Sequence, residues 1–240
     1  MIYKIIRLKA TWALGLCVLF GISVQSFSQS SAWKIGLGNS LTEYDFVSTQ
    51  GVQVNYLKKG SGNTYSIGYE NALLDTSKFI GQGSSKDLYY LQHKNLAKIL
   101  SHIEWGGALL MNQLNAVGDV QNTSFDYQTN YVGLEFSLGP FVNLGKGWKV
   151  QAQGKALGQY LLQGNQHLGT TYIDLSQNKD FNQMKLFVGF GASLEKKVNK
   201  SLSLYVASSS QKTLVATKQG ESSLNFKTLN VMFGLKIFGF

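Results

Sequence analysis

The chain has 240 residues, a formal net charge of +9 and one cysteine, Cys17, which suits a single domain without disulfides or thiolate metal sites. Outside the N-terminal segment, no apolar run reaches the length of about 18 residues that a transmembrane helix needs, which excludes a helical membrane protein. The only arginine is Arg7, so the bidentate arginine contacts typical of nucleic-acid binding are missing from the rest of the chain.

The first 28 residues predict a cleaved secretory signal peptide. Three basic residues precede an apolar run over 10–24, and small residues occupy the −3 and −1 positions of a cut before Gln29. The mature domain is then 29–240, and its net charge of +6 comes from lysine alone. Anionic lipid headgroups or lipopolysaccharide are the partners that such charge favours, although ordinary solubility and pairing inside the fold explain more of it.

From Gln29 onward, eight segments alternate apolar and polar side chains with a period of two. This period is typical of a β-strand with two different faces and does not occur in a helix. In chain order the segments are 33–47, 65–70, 103–111, 132–144, 148–162, 184–195, 202–207 and 228–237.

The fifth segment, 148–162, carries the strongest signal. Its even positions hold no charged or amide side chain, and Trp148 and Tyr160 stand near the two ends of that apolar face. Twelve residues of a tilted strand separate them by roughly 30 Å along a barrel axis, which suits an apolar band about 25 Å tall between two aromatic girdles. A long edge strand of a soluble sandwich or lipocalin-like barrel is the alternative.

The connections alternate in length. Short turns at 145–147 and 197–200 alternate along the chain with longer polar stretches, as the short and long connections of a membrane barrel do. The predicted fold is therefore an all-β, transmembrane, antiparallel up-and-down barrel of eight strands. The segment 74–100 does not fit, because Leu88, Leu91, Asn95 and Ile99 recur at helical spacing; a ten-strand count stays open there. The predicted external loops are 48–63, 112–126, 164–183 and 214–223.

This pattern resembles the small outer-membrane β-barrel proteins of Gram-negative bacteria, and most of all an uncharacterised set common in Bacteroidota-type bacteria. The matching features are the signal with Gln29 after the cut, WKIGLGNS at 33–40, NAVGD…YQTNYVGLEF between 115 and 136, and the terminal Phe240. The resemblance implies location in the cell outer membrane and recognition of the C-terminal strand, ending in Phe240, by the barrel-assembly machinery. Phe240 is out of phase with the apolar positions of its strand, which departs from the family pattern.

If the apolar faces meet lipid, the polar faces line the lumen, and Glu70 and Lys236 are among the charged residues that they place there. An eight-strand barrel is just wide enough for side chains to fill it, and buried charges must be paired. We expect a closed lumen with a polar network of Glu104, Glu135, Lys155, Lys185 and Glu195, while a narrow channel or a small-ligand transport barrel is the alternative.

No catalytic, cofactor-binding or metal site is predicted. His93, His102 and His167 are scattered, and none belongs to a motif for a nucleophile or a metal, so a lipid-modifying barrel enzyme ranks below the other functions. The expected function is a structural or interaction role through the external loops.

Overall fold

The computed structural model describes residues 31–53, 57–74, 94–120, 123–214 and 222–239. Nine antiparallel strands and two short helices account for most of them. The predicted signal peptide and Phe240 lie outside the described residues. The strands are β1 Ala32–Val47, β2 Leu57–Ala72, β3 Ile103–Val120, β4 Thr123–Gly145, β5 Trp148–Leu168, β6 Thr171–Asp174, β7 Lys185–Lys197, β8 Leu202–Thr213 and β9 Ser223–Phe238; the helices are α1 Lys94–Leu100 and α2 Lys179–Asn182.

Eight of the strands close into a barrel. Each pairs with its neighbours along the chain, and β1 closes the ring against β9, with Ala32 opposite Phe238 and Val47 opposite Ser223. The ninth strand, β6, pairs only with the end of β5. The predicted eight-strand up-and-down barrel is therefore confirmed, and the ten-strand count is excluded.

The two faces of the strands differ as the alternation predicts. On β5, Trp148, Val150 and Tyr160 are exposed on the outer surface, while Gln151 and Leu157 between them are buried inside. Every barrel strand exposes large apolar side chains, and together they form an outer surface that we call the apolar belt. Such a belt is stable only in contact with hydrocarbon, so the barrel is of the membrane-spanning kind. One representative from each strand is Leu37, Ile67, Leu109, Phe136, Val150, Phe190, Val206 and Phe233.

The two ends of the barrel have different connections. We call the end with the tight turns 145–147 and 198–201, α1 and both described chain ends the turn rim, and the opposite end the loop rim. At the turn rim, Gly145, Lys146 and Gly147 all have positive φ (85°, 50° and 77°), which lets β4 reverse directly into β5.

Strands extend into three of the predicted loops and occupy most of the loop predicted at 112–126. β2 begins at Leu57, β3 and β4 run to Val120 and Thr123, and β5 continues to Leu168 before pairing with β6. Beyond the belt, the outward faces of these hairpins meet water, and their inward faces carry both polar and apolar side chains. The alternation that marks a strand in the sequence is therefore weak there, while cross-strand pairing still satisfies the backbone. In the fourth predicted loop, 215–221 lie outside the described residues.

The helical spacing predicted in 74–100 corresponds in part to α1, which contains Asn95 and Ile99. Leu88 and Leu91 lie outside the described residues. Within the described ranges, neither helix has the length and apolarity required to cross a membrane.

Candidate functional site: the lumen and its two rims

The half of the lumen near the turn rim contains six charged side chains, which we call the charged cluster. The members are Lys34, Glu70, Glu104, Lys149, Glu195 and Lys236, and β1, β2, β3, β5, β7 and β9 contribute one each.

Lysines and carboxylates alternate in this cluster. The Nζ of Lys149 lies 2.9 Å from Glu104 and 3.1 Å from Glu195, and the Nζ of Lys236 pairs with Glu195 at 2.8 Å and also with Glu70. Lys34 adds a contact of 3.3 Å to Glu70. With equal numbers of positive and negative groups, the cluster is neutral, which is the condition for holding charges away from water.

A second ion pair lies farther along the lumen. Lys155 donates to Glu135 at 2.8 Å, and the amide of Gln211 donates to the other oxygen of the same carboxylate at 2.9 Å. These contacts join β4, β5 and β8 across the interior.

The half of the lumen near the loop rim has a different composition, which we call the apolar cluster. Tyr44 packs edge-on against Phe226 at 4.7 Å, and Tyr131 and Phe187 contact the same ring. The buried Tyr44 hydroxyl donates to the carbonyl of Leu114 at 2.7 Å, so the aromatic packing leaves that polar group satisfied. The members are Tyr44, Leu114, Ala116, Tyr131, Leu157, Leu161, Leu175, Phe181, Phe187, Leu224 and Phe226.

Two members of the apolar cluster come from the connection between β6 and β7. Leu175 and Phe181 are 2% and 5% exposed, and the hydroxyl of Tyr131 donates to the carbonyl of Phe181 at 3.2 Å. The side chain of Asn178 caps α2 by accepting from the backbone of Asp180. This connection therefore folds inward and covers the lumen at the loop rim.

Little empty space remains inside. A cavity of about 40 Å³ lies beside Lys34, Glu135 and Lys155, which is room for about one water molecule. At the turn rim a vestibule of about 480 Å³ opens to the outside and ends on Glu104 and Lys149 of the charged cluster.

Four of the five residues predicted for the polar network lie in these ion pairs: Glu104, Glu135, Lys155 and Glu195. The fifth, Lys185, does not, because β7 begins there and places it at the loop rim, where it donates to the carbonyl of Leu224 at 3.2 Å and lies 5.6 Å from the Phe226 ring.

Sequence reasoning missed Lys34 and Lys149 as members of the network. Both alternate with the apolar positions of their strands, so the period of two could have found them. The apolar cluster was also missed. The period of two identifies its strand residues as inward, on the face opposite the belt, but does not show that this part of the lumen is apolar. On β5, Leu157 and Leu161 interrupt a face that is otherwise mostly polar.

The aromatic residues predicted as girdles are both exposed on the outer surface. Trp148 is the first residue of β5 at the turn rim, and Tyr160 lies twelve residues farther toward the loop rim. Trp33, Tyr69 and Trp105 also lie near the turn-rim ends of their strands, and Tyr69 contacts both indoles edge-on at 5.9 and 6.0 Å. The turn rim therefore carries a tryptophan-rich girdle.

The histidines have ordinary surroundings. The Nδ1 of His102 lies 2.8 Å from the carbonyl of Lys98 and its ring stacks on Phe141, while His167 packs edge-on against Tyr172. His93 lies outside the described residues. Within the described ranges, no group of three His, Cys, Asp or Glu side chains has the geometry of a metal site.

Two carboxylates at the loop rim, beyond the apolar belt, are stabilised in their charged form: Glu43 and Asp174. A hydrogen bond with Lys59 lowers the pKa of Glu43, and Lys227 adds to the effect. The backbone N–H of Ser176, which donates to Asp174 at 2.8 Å, lowers the pKa of that carboxyl.

No protein-family model matches the chain, and no curated protein matches it. The chain is similar to the solved structure of Ail, the attachment invasion locus protein of Yersinia pestis, in complex with sucrose octasulfate, with 11% identity over 87% of this chain and 97% of that one and a TM-score of 0.40. It is similar to Neisserial surface protein A, with 8% identity, 90% and 100% coverage and a TM-score of 0.40. It is also similar to the outer membrane protease OmpT from Escherichia coli, with 9% identity, 90% and 99% coverage and a TM-score of 0.36. TM-scores this low transfer no function.

Proposed function

We propose that this protein is a non-conducting barrel of the cell outer membrane of the Bacteroidota type and that it acts through the surface of its loop-rim hairpins, without catalysing a reaction. The observation that carries the proposal is the apolar cluster. Buried aromatic rings fill the loop-rim half of the lumen, and Phe181 and Leu175 cover them from the β6–β7 connection.

The filling of the lumen disfavours a channel. A water-filled pore requires a continuous polar path. In this barrel, an ion that passed the charged cluster would meet the closely packed rings of Tyr131, Phe187 and Phe226 and lose its hydration. The vestibule at the turn rim ends at the charged cluster and does not extend this path.

The hairpins at the loop rim supply the surface. β3 and β4 stay paired up to Val120 and Thr123, and side-chain bonds hold the extension to its neighbours: Asn115 donates to the carbonyl of Ser61 at 2.8 Å, and Lys58 lies 3.5 Å from Asp119. Since these segments are paired strands, they present a preformed surface, which lowers the entropy cost of binding a partner.

The location follows from three features taken together. The predicted signal peptide directs export, the apolar belt requires a membrane, and closed barrels with such belts are the spanning proteins of outer membranes. Insertion would then use the barrel-assembly machinery, acting on the strand that ends in Phe240, and the belt would contact outer-membrane lipid.

Planar-bilayer recording of the refolded mature chain tests the closed lumen. We expect no unit conductance steps, while a general porin refolded and inserted in the same way supplies the positive control. Steady unit steps from the wild-type protein would overturn the proposal.

A pair of aromatic substitutions tests the role of the β6–β7 connection. Phe181→Ala removes a ring that is 5% exposed and should lower the free energy of unfolding by about 3 kcal/mol or more, as expected for a phenylalanine taken from a packed core. Tyr172→Ala changes a ring in the preceding strand β6 that is 57% exposed and should leave stability within about 0.5 kcal/mol. Equal effects of the two variants would show that the connection does not close the lumen.

A further inference from the structure

Among the described residues, the net positive charge is concentrated at one end of the barrel. The loop rim has six described carboxylates and five described lysines, so its charges nearly balance. They are Glu43, Asp45, Asp119, Asp126, Asp174 and Asp180, with Lys58, Lys59, Lys179, Lys212 and Lys227. The described part of the turn rim has no carboxylate outside the lumen, and its lysines are Lys94, Lys98, Lys146, Lys196, Lys197 and Lys200.

The lysines of the two rims also differ in their partners. At the loop rim, Lys59 lies 3.3 Å from Glu43, and Lys227 lies 3.5 Å from the same carboxylate. For Lys146, Lys196, Lys197 and Lys200, no described carboxylate lies within 4.0 Å. These four turn-rim lysines, which we call the lysine rim, carry charge that the described protein does not neutralise.

The lysine rim is anchored at the edge of the apolar belt. Lys196 stands opposite Trp148 on the outward face of β7, its Nζ lies 4.8 Å from the indole centroid, and it donates to the carbonyl of Lys146 at 2.6 Å. Tryptophan at the end of a belt marks the headgroup level of a membrane, and a lysine beside it extends its ammonium into that layer. The turns at 145–147 and 198–201, which contain Lys146 and Lys200, are therefore held at the depth of the lipid phosphates.

The residue at position 146 is unusual for its backbone. With φ of +50°, Lys146 occupies the left-handed region, where glycine, asparagine and aspartate are favoured at the tip of a tight turn. Lysine gives no local advantage there.

We propose that the lysine rim binds the phosphate groups of anionic phospholipids in the leaflet that faces the chain ends. This proposal rests on the proposed function only for the placement of the barrel in a membrane. An anionic headgroup supplies the counter-charge that the rim lacks, and attraction of this kind contributes about a fivefold gain in affinity for each lysine near the surface.

The orientation of the barrel follows from the same contacts. In an outer membrane with the chain ends on the periplasmic side, the turn rim meets the phospholipid leaflet, and the loop rim, with its lysines mostly paired, meets the outside. The asymmetry of charge would then help to fix which end inserts first and which leaflet each rim occupies.

Quenching of tryptophan fluorescence by brominated lipids tests the proposal. The mature wild-type barrel, refolded in phosphatidylcholine vesicles with increasing brominated phosphatidylglycerol, should prefer the anionic lipid at sites close to Trp148. A Trp33→Phe, Trp105→Phe background isolates that indole. Raising the salt concentration should weaken the preference, since exposed charges are screened.

Substitutions then identify the groups responsible. Lys146→Asn removes the charge but suits the positive φ, so it should keep or raise resistance to urea while lowering the preference about fivefold. Adding Lys196→Gln should lower the preference about fivefold again. Lys212→Gln, an exposed outward lysine at the loop rim, is the matched control and should change nothing.

The outcomes separate this proposal from the proposed function. Quenching by brominated phosphatidylcholine reports insertion whatever the headgroup, and conductance reports the closed lumen independently of lipid. A wild-type barrel that inserts without preferring the anionic lipid overturns the proposal. A preference as strong as that of wild type in the Lys146→Asn, Lys196→Gln variant also overturns it. A preference lost in Lys212→Gln assigns lipid phosphate to the opposite rim and overturns it as well.

Discussion

Individual charged residues inside this barrel stabilise the fold only as members of a neutral set. Lys236 is 1% exposed and pairs with both Glu70 and Glu195, while Lys149 holds Glu195 and Glu104. Removing one partner from such a set leaves a buried charge without compensation, which costs far more than the pair contributes when complete.

Lys236→Met should therefore lower the free energy of unfolding by about 3–5 kcal/mol, measured by urea titration in lipid vesicles. Lys227→Met is the matched control on the same strand, since its side chain is 55% exposed and its ion pairs are worth at most about 1 kcal/mol. If charge imbalance is the cause, Glu195→Gln added to Lys236→Met should recover part of the loss. If the double variant is no more stable than Lys236→Met, the loss of stability comes from packing and not from charge imbalance.

The sequence could predict the face of a charged residue but not its depth along the barrel. Period-two alternation correctly directs both Lys155 and Lys185 inward, yet Lys155 meets Glu135 while Lys185 meets a backbone carbonyl at the loop rim. Depth depends on the stagger between strands and on where each strand begins, and a single sequence does not contain the pairing register.

Strands set the shape of the barrel through their closest approaches. Gly139 on β4 faces the backbone of β5 so closely that a Cβ there would overlap the carbonyl oxygen of Ala152. Gly107 on β3 has no neighbouring atom within 4 Å of such a Cβ. The first glycine is required by the curvature of a narrow barrel, whereas the second is not.

Gly139→Ala should lower the free energy of unfolding by about 1–3 kcal/mol, because β4 and β5 must separate to admit the methyl group. Gly107→Ala, in the adjacent strand, should change it by less than about 0.5 kcal/mol. Urea unfolding of both variants in the same vesicles makes the comparison, and a Gly139→Ala barrel as stable as wild type would contradict the close approach of β4 and β5.

At the scale of the element, strands within the belt were predictable and their extensions were not. The segment 148–162 showed its two faces because one face meets lipid and the other meets the lumen. Beyond the belt, β5 continues through Gln163–Leu168 with both faces in contact with water or other protein, so the residues lose the alternation while the pairing to β4 persists.

The whole molecule reverses the usual polarity of a soluble protein, because its outer surface is apolar and its interior contains charged side chains. Its exterior is apolar, with Phe190 72% exposed, while its interior joins a neutral charged cluster to an apolar cluster. The first feature requires a hydrocarbon environment, and the second closes the lumen to ions. The sequence predicted the polar part of this interior, and the apolar part could be recognised only after the β6–β7 connection was seen to fold into the loop rim.

A single-cysteine scan along β5 tests this arrangement most directly, since the mature chain contains no cysteine of its own. Spin labels at positions 150–161, one at a time in vesicles, should show collision with molecular oxygen that is high at Val150, Ala152, Ala156 and Tyr160 and low at Gln151, Gln153, Leu157 and Leu161. A period of two in oxygen accessibility, with the even positions inaccessible to a water-soluble nickel chelate, is the predicted result. Even positions that collide with the chelate, or no alternation at all, would contradict a belt in contact with lipid around a closed interior.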